Sequence, residues 1–246
     1  MPSDMLIKTR GIVFKTLKYG ETSLIVDIYT EECGLRKYII NGVRSKKAKV
    51  QASLLQVMTL VDLVAYNRDD RSLNRIKEIK SSRVYQSIPF DVRKGAVGLF
   101  MAEVARKTLR ESEENRELFN FLFDSFLFLD ATTNSIANLH LHFLLELSVF
   151  LGFIPGGHQD KTTPYFDMQE GVFVKQPPAH MYFLEERQSQ LLDQLLNCQF
   201  QQCHTIQLSR EERRVLLRHI LEYYQLHIEN LPEIKAHLIL QEVLGG

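Results

Sequence analysis

Residues 10–49 read RGIVFKTLKYGETSLIVDIYTEECGLRKYIINGVRSKKAK, and their alternation decides the fold. At 12–17 and again at 23–30, β-branched and aromatic residues alternate, with Leu24, Val26 and Ile28 on one face and Ile25, Asp27 and Tyr29 on the other. A period of two is the pattern of a half-buried strand. Lys18-Tyr-Gly-Glu21 and Glu31-Glu-Cys-Gly34 each place a glycine where the chain must reverse, so two hairpins lead into a third strand at 35–43. Gly11 reads as a bulge. The stretch ends in a loop where Arg44, Lys46, Lys47 and Lys49 put four cations in six residues with no acid between them.

Further along, 58–66 reads as a fourth strand, 67–70 as a hairpin loop and 73–80 as a fifth strand. Five short antiparallel strands in so little chain suit a small closed barrel of the oligonucleotide-binding (OB) type, and an SH3-like barrel has a similar inventory. Past Pro89 the period changes to 3.6, predicting helices at 91–109, 115–130, 136–151, 184–198 and 209–230. The second and third are apolar nearly all round, which places both at the centre of a helical bundle. Asn134 or Ser135 is a candidate cap for the third, and Ser209 with Glu212 has the form of a capping box for the fifth. Gly171 suggests a two-strand hairpin over 165–174. The expected fold class is α+β: a five-stranded OB barrel over 1–83, then an α-helical bundle over 84–246 with a small β-hairpin inserted at about 156–182.

Charge separates along the chain. The totals balance at 30 Lys+Arg and 30 Asp+Glu, yet residues 1–83 hold 16 of the former and 9 of the latter, leaving 14 and 21 for residues 84–246. A front half at +7 joined to a back half at −7 implies a polyanion partner for the front. The three cysteines include no C-x-x-C pair and suggest a reducing cytosol rather than a disulfide framework. The N-terminus lacks a secretory apolar core, and the richest apolar stretch, 143–155, contains Glu146 and is too short to span a bilayer, so a cytoplasmic protein without a membrane segment is expected.

The front-half cations include Arg10, Lys15, Lys18, Arg36 and Lys37, with Tyr19, Tyr29, Tyr38 and Tyr66 among them. Cations neutralise phosphates and rings stack on bases, the two components of sequence-tolerant single-strand binding. The competing reading is a solvated sheet face with lysines that resist aggregation. Asp62 followed by Glu78-Ile-Lys80 also matches the spacing of metal-dependent nucleases, although charged alternating strands produce E-x-K readily. Phosphate-loop, G-x-S-x-G and H-E-x-x-H motifs are absent, which removes support for ATP use and the common hydrolase routes. His140, His142, His158 and His180 are not spaced as a metal set, so no metal and no cofactor are expected. Two cationic rows stand out in the acidic half, Arg106, Lys107 and Arg110 on one helix and Arg210, Arg213, Arg214 and Arg218 on another. Either is a candidate pocket for an acidic peptide, or else a set of partners for neighbouring glutamates such as Glu211 and Glu222.

YGETSLIVDIYTEECG at 19–34 followed by NGVRSKK at 41–47 resembles the N-terminal signature of the bacterial recombination mediator family RecO. LELSVFLGF at 145–153, Ile234-Lys-Ala-His237 and Glu242-Val-Leu244 are similar to later family features, so the resemblance spans nearly the whole chain. It implies an OB barrel and a helical domain that bind single- and double-stranded DNA without ATP and anneal complementary strands. It also implies partners: RecR, the acidic tail of single-stranded DNA-binding protein (SSB), and indirectly RecA, which the family helps to load on coated strands. Gly42, Arg44, Ser45, Lys46 and Lys47 match the signature loop, and the resemblance makes them DNA contacts. An RNA-binding module on a similar barrel is the alternative. Many family members hold zinc through four cysteines after the Leu-Gly-Phe helix. Residues 154–182 contain none here, so Tyr165, Phe166, Val172 and Phe173 are expected to replace the metal with apolar hairpin packing.

Overall fold

The computed structural model describes residues 5–43, 50–67, 73–109 and 114–244. The chain divides into two compact units, Met1–Asp91 with Ala102–Ala131, and Val92–Met101 with Thr132–Gly246.

Five strands build the first unit: β1 (Met5–Tyr19), β2 (Ser23–Thr30), β3 (Gly34–Ile40), β4 (Leu60–Asn67) and β5 (Asn74–Ser81). They close in the order β1-β2-β3-β5-β4, and only the β3–β5 seam is parallel. That closure is the OB arrangement, which resolves the choice against an SH3-like barrel. The pairing Leu17↔Ile25↔Ile39↔Arg75↔Tyr66↔Leu6 runs once round the barrel and returns to β1 eleven residues before its start, 17 to 6. Such stagger tilts the strands and lets five of them enclose a core.

β1 is longer than the predicted 12–17 because its two halves pair with different strands, β4 first and β2 later. The bend between them lies at Phe14, where the register shifts between Val13 and Lys15. Gly11, expected to be the bulge, is in regular pairing with both Thr30 and Val61. Its bare Cα serves close packing instead: a Cβ there would lie 2.6 Å from Ile28 Cγ2 and 3.0 Å from Leu63 Cδ2. β3 ends at Ile40, short of the predicted 43, since Gly42 at φ +73° turns the chain.

Val13, Val26, Ile28, Tyr38, Ile40 and Leu63 fill the barrel. Val43 and Leu55 belong to the same core and Val50 packs against it, so the residues on both sides of the basic loop are anchored. The loop cations themselves, Arg44, Lys46, Lys47 and Lys49, lie outside the described residues along with Ser45.

Helix α1 spans Val92–Thr108 and α2 Arg116–Ala131. The aromatic run of α2, expected at the centre of a bundle, packs within the first unit instead: Phe119 stacks on Tyr29 at 6.2 Å, and Tyr29 on Phe14 at 6.0 Å. Periodicity shows that a helix face is apolar, but not which element it covers.

In the second unit α3 (Leu139–Phe150) is buried nearly all round and α5 (Arg210–His227) packs on it, Tyr224 donating to the Leu144 carbonyl at 2.5 Å. The Ser209–Glu212 capping box forms as expected, with Glu212 N–H to Ser209 Oγ at 3.1 Å and Ser209 N–H to Glu212 Oε2 at 2.7 Å. Neither Asn134 nor Ser135 caps α3. Asn138 stands at that position without a side-chain cap bond, and its amide instead donates to the Cys203 and Ile206 carbonyls, each at 2.9 Å.

The inserted hairpin is β6 (Tyr165–Asp167) and β7 (Val172–Val174), to which β8 (Phe183–Leu184) adds an unpredicted third strand. Phe166 and Phe173 are buried against each other at 5.0 Å, Tyr165 meets Phe183 edge-on, and Val172 is exposed. Helices α4 (Glu186–Leu196) and α6 (Ala236–Val243) complete the unit. None of the three cysteines, all within the described residues, is in a disulfide.

Candidate nucleic-acid interface

The outer face of β1–β2–β3 takes its order from the register. Lys15, Asp27 and Lys37 form one cross-strand row, Leu17, Ile25 and Ile39 the next, and Tyr19 pairs with Ser23 at the hairpin end. Lys18, Tyr19 and Lys37 are exposed, Lys15 is half-buried, and Leu17 presents about half its surface. Gly20, at φ +61° in the β1–β2 turn, has open space around it. Lys15 and Lys37, with Asp27 between them, therefore border one side of an apolar stripe whose other side carries the exposed Tyr19 ring. Exposed Lys18 pairs with core Leu24 and stands at the hairpin end. Such a surface suits phosphates at its margin and bases along its middle.

Two predicted contacts have other surroundings. Arg36 shares the inward face of Tyr38 and Ile40, and its Nε is buried without a hydrogen-bond partner. Burial raises the nearby Cys33 thiol, with the Arg36 charge pulling the other way. Arg10 is engaged within its own unit. Its Nε and Nη2 reach the two Glu31 oxygens at 2.9 and 2.7 Å, Nη2 also donates to Asn120 Oδ1 at 2.8 Å, and the guanidinium lies 5.0 and 4.9 Å from the Phe119 and Phe123 ring centres. That hydrogen bond holds the Glu31 carboxyl below the ordinary range, against a smaller desolvation effect.

Of the cationic rows, the first is partly tied: Lys107 pairs with Glu103 at 2.5 Å, Arg106 is half-buried, and Arg110 lies outside the described residues. The second row lines a pocket. Arg210, Arg213 and Arg214 surround a cleft of about 50 Å³ with His140, Leu217, Leu240 and Leu244. Arg213 donates to the Leu208 carbonyl at 2.6 Å and Arg214 pairs with Glu211 at 2.8 Å, while Arg218 is exposed. Burial, with a smaller contribution from the Arg213 charge, pushes His140 down to about 3, so it is neutral at physiological pH, and its Nδ1 lacks a partner. Read from sequence, His140 is an imidazole without metal, not placed beside the arginines. The i, i+3, i+4 positions of α5 and the apolar spacing of α6 hold the signal that places it beside the arginines.

Asp62 and Lys80 face each other across β4 and β5 and pair at 3.8 Å, while Glu78 opposes Val64. His142 Nε2 donates to the Cys198 carbonyl at 2.8 Å, His158 faces Asp193 at 3.5 Å and His180 faces Asp167 at 3.4 Å. Among the described residues no three His, Cys, Asp or Glu side chains group as a metal site, and no helix is long and apolar enough to cross a membrane.

Barrel, helices and cationic outer face together define the class, an OB-barrel protein with a helical companion unit. The chain belongs to the recombination protein O family: the N-terminal family model matches residues 5–85 and the C-terminal one residues 89–235. It is 40% identical over 240 residues to the DNA repair protein RecO of Bacteroides fragilis, covering 97% of this chain and 99% of that one. RecO of Phocaeicola vulgatus is 36% identical and RecO of Christiangramia forsetii 39%, each match covering 98% of this chain and 100% of the relative. Membership in this family supports a role in DNA repair and recombination.

Proposed function

We propose that the chain is a cytoplasmic recombination mediator, not an enzyme, that binds single- and double-stranded DNA and anneals complementary strands. With RecR it acts on SSB-coated DNA to help load RecA. Residues 1–83 would form the DNA-binding domain and 84–246 the partner-docking one. The observation that carries this reading is the register-aligned face of Lys15, Tyr19 and Lys37, with exposed Lys18 beside it at the hairpin end, continued by a basic loop whose flanks, Val43 and Val50, are packed on the barrel core. Gly42, Arg44, Ser45, Lys46, Lys47 and Lys49 would supply further contacts. Arg10 and Arg36 would act mainly through the barrel's own packing. The Arg210, Arg213 and Arg214 cleft suits an acidic tail better than the Arg106 row, because apolar side chains line it beside the cations.

Capture of this kind is electrostatic. Affinity for single strands should fall with salt by about 0.7 log unit per log unit for each phosphate contacted. The deciding experiment is annealing of SSB-coated strands by wild type and by Arg44→Glu/Lys46→Glu/Lys47→Glu. A large loss of rate is expected, and equal rates would overturn the loop assignment. Tail-peptide binding unchanged in Arg214→Glu would remove the cleft.

A further inference from the structure

We infer that the barrel carries a second strand-binding face, built from β5 and the N-terminal half of β1, in addition to the β1–β2–β3 face. The inference rests on the nucleic-acid reading above. A second bulge creates this face. Across β4 and β5, Ala65 pairs with Ile76 and Val64 with Glu78, which leaves Lys77 as the extra residue. Ile76 and Ile79 both pack on the barrel core, so Lys77 and Glu78 point outward together where strict alternation would turn one of them in. Arg75, Lys77 and Lys80 consequently share the exposed side of one short strand.

The neighbouring strands add what a nucleic acid needs beyond charge. Leu6, Tyr66 and Arg75 are directly paired across β1, β4 and β5, so a tyrosine stands between an apolar side chain and a guanidinium. Tyr66 is 36% and Leu6 47% exposed, and exposed Lys8 follows two residues along β1. Asp62 is paired to Lys80. Among the described residues Lys8, Arg75 and Lys77 have no carboxylate at ion-pair distance, so these three cations outnumber the remaining Glu78. Ring and cations interleaved along extended strands match a chain that alternates bases and phosphates. Round the barrel the two faces adjoin at the Ile39–Arg75 pair, with Leu17, Ile25 and Ile39 on one side of that seam and Arg75, Tyr66 and Leu6 running away from it on the other. An annealing protein that holds two strands apart before pairing them requires such a pair of surfaces.

The test titrates the full chain with a short fluorescent oligothymidylate and counts strands bound. Wild type should bind two. Arg75→Glu/Lys77→Glu, and the milder Arg75→Gln/Lys77→Gln, should keep the first strand within about twofold, lose the second, and shallow the salt dependence by about 0.7 log unit per phosphate contact removed. Tyr66→Ala should weaken the second strand about fivefold, the low end of base stacking on a ring. Unchanged thermal melting of the Gln variant serves as the folding control. A single strand bound by wild type, or two strands bound by the folded Gln variant, overturns the proposal. Two strands retained together with lost binding of an oligoglutamate peptide assigns the face to an acidic protein and overturns it as well. Lys15→Glu/Lys37→Glu should instead lose the first strand, and its failure to do so would count against the β1–β2–β3 face alone.

Discussion

Arg10 and Glu31, twenty-one residues apart in sequence, meet in a two-point ion pair at 2.9 and 2.7 Å. The same guanidinium lies against Phe119 and Phe123 of α2, so one side chain connects β1, the β2–β3 turn and a helix. Arg116 reinforces the connection, with Nη2 at 3.1 and 3.0 Å from the two Glu32 oxygens.

Arg10→Ala is therefore expected to lower unfolding stability by roughly 1–2 kcal/mol, allowing for screening at a partly exposed site. DNA affinity of the folded protein should change by less than about twofold, since little of the guanidinium is free for phosphate. Urea melts and binding titrations on the same preparation separate the two effects. Unchanged stability with a large loss of affinity would restore Arg10 as a direct contact.

Asp130 near the end of α2 accepts backbone N–H bonds from Gln86 at 2.8 Å, Ser87 at 2.8 Å and Ile88 at 2.9 Å, and the Ser87 hydroxyl donates to the Asp130 carbonyl. Burial alone would raise this carboxyl, but the amide bonds outweigh it and hold it below its ordinary value. A depressed carboxyl contributes stability above its unfolded pKa, about 3.9, and loses it as pH falls through the folded value. Wild type should thus lose more stability than Asp130→Asn between about pH 5 and pH 3, and the two should converge in acid. Parallel urea melts at both pH values check this, and identical pH dependence would rule out the mechanism.

Gly171, at φ +70°, lies so close to α5 that an added Cβ would be 2.9 Å from the Tyr223 hydroxyl. That hydroxyl donates to the Phe153 carbonyl at 2.7 Å and cannot move without breaking the bond. Gly171→Ala should cost about 1–2 kcal/mol from left-handed backbone strain, with the displaced hydroxyl adding to it. In the Tyr223→Phe background the same substitution should cost less, a coupling that a double-mutant cycle measures. Purely additive effects would show that the contact is relieved elsewhere.

Elemental analysis of the purified protein should find no stoichiometric zinc. Phe166 packs against Phe173 at 5.0 Å and Tyr223 at 5.8 Å, and His227 Nε2 donates to the Met168 carbonyl at 2.9 Å, so apolar contacts and a hydrogen bond tie the insertion to α5. Zinc held by His158, Asp160 or His180 would contradict this. Metal removal by chelator should leave the melting temperature unchanged.

Local rules were legible where neighbours in sequence are neighbours in space. Alternation at 23–30 gave β2 its faces, glycines marked the turns, and Ser209 met Glu212 because a capping box spans only three residues. The candidate site was legible in its cations but not in their directions. Arg36 and Lys37 look equivalent in a list of charges, yet the pleat sends one inward and the other out.

By itself the sequence determined the five barrel strands, the inserted hairpin and helices α1 to α5, the charge division and, through 19–34 and 41–47, the family resemblance. Only the tertiary structure decided that Arg10 faces Glu31 and Asn120, that Asp130 reaches back to residues 86–88, and that α2 packs with the barrel unit. It also decided, through the bulge at Lys77, which cations of β5 face outward. Periodicity fixes a residue's face relative to its own element. The partner of that face is chosen by chain closure over tens of residues, and a single-residue bulge is enough to change which side chains reach solvent.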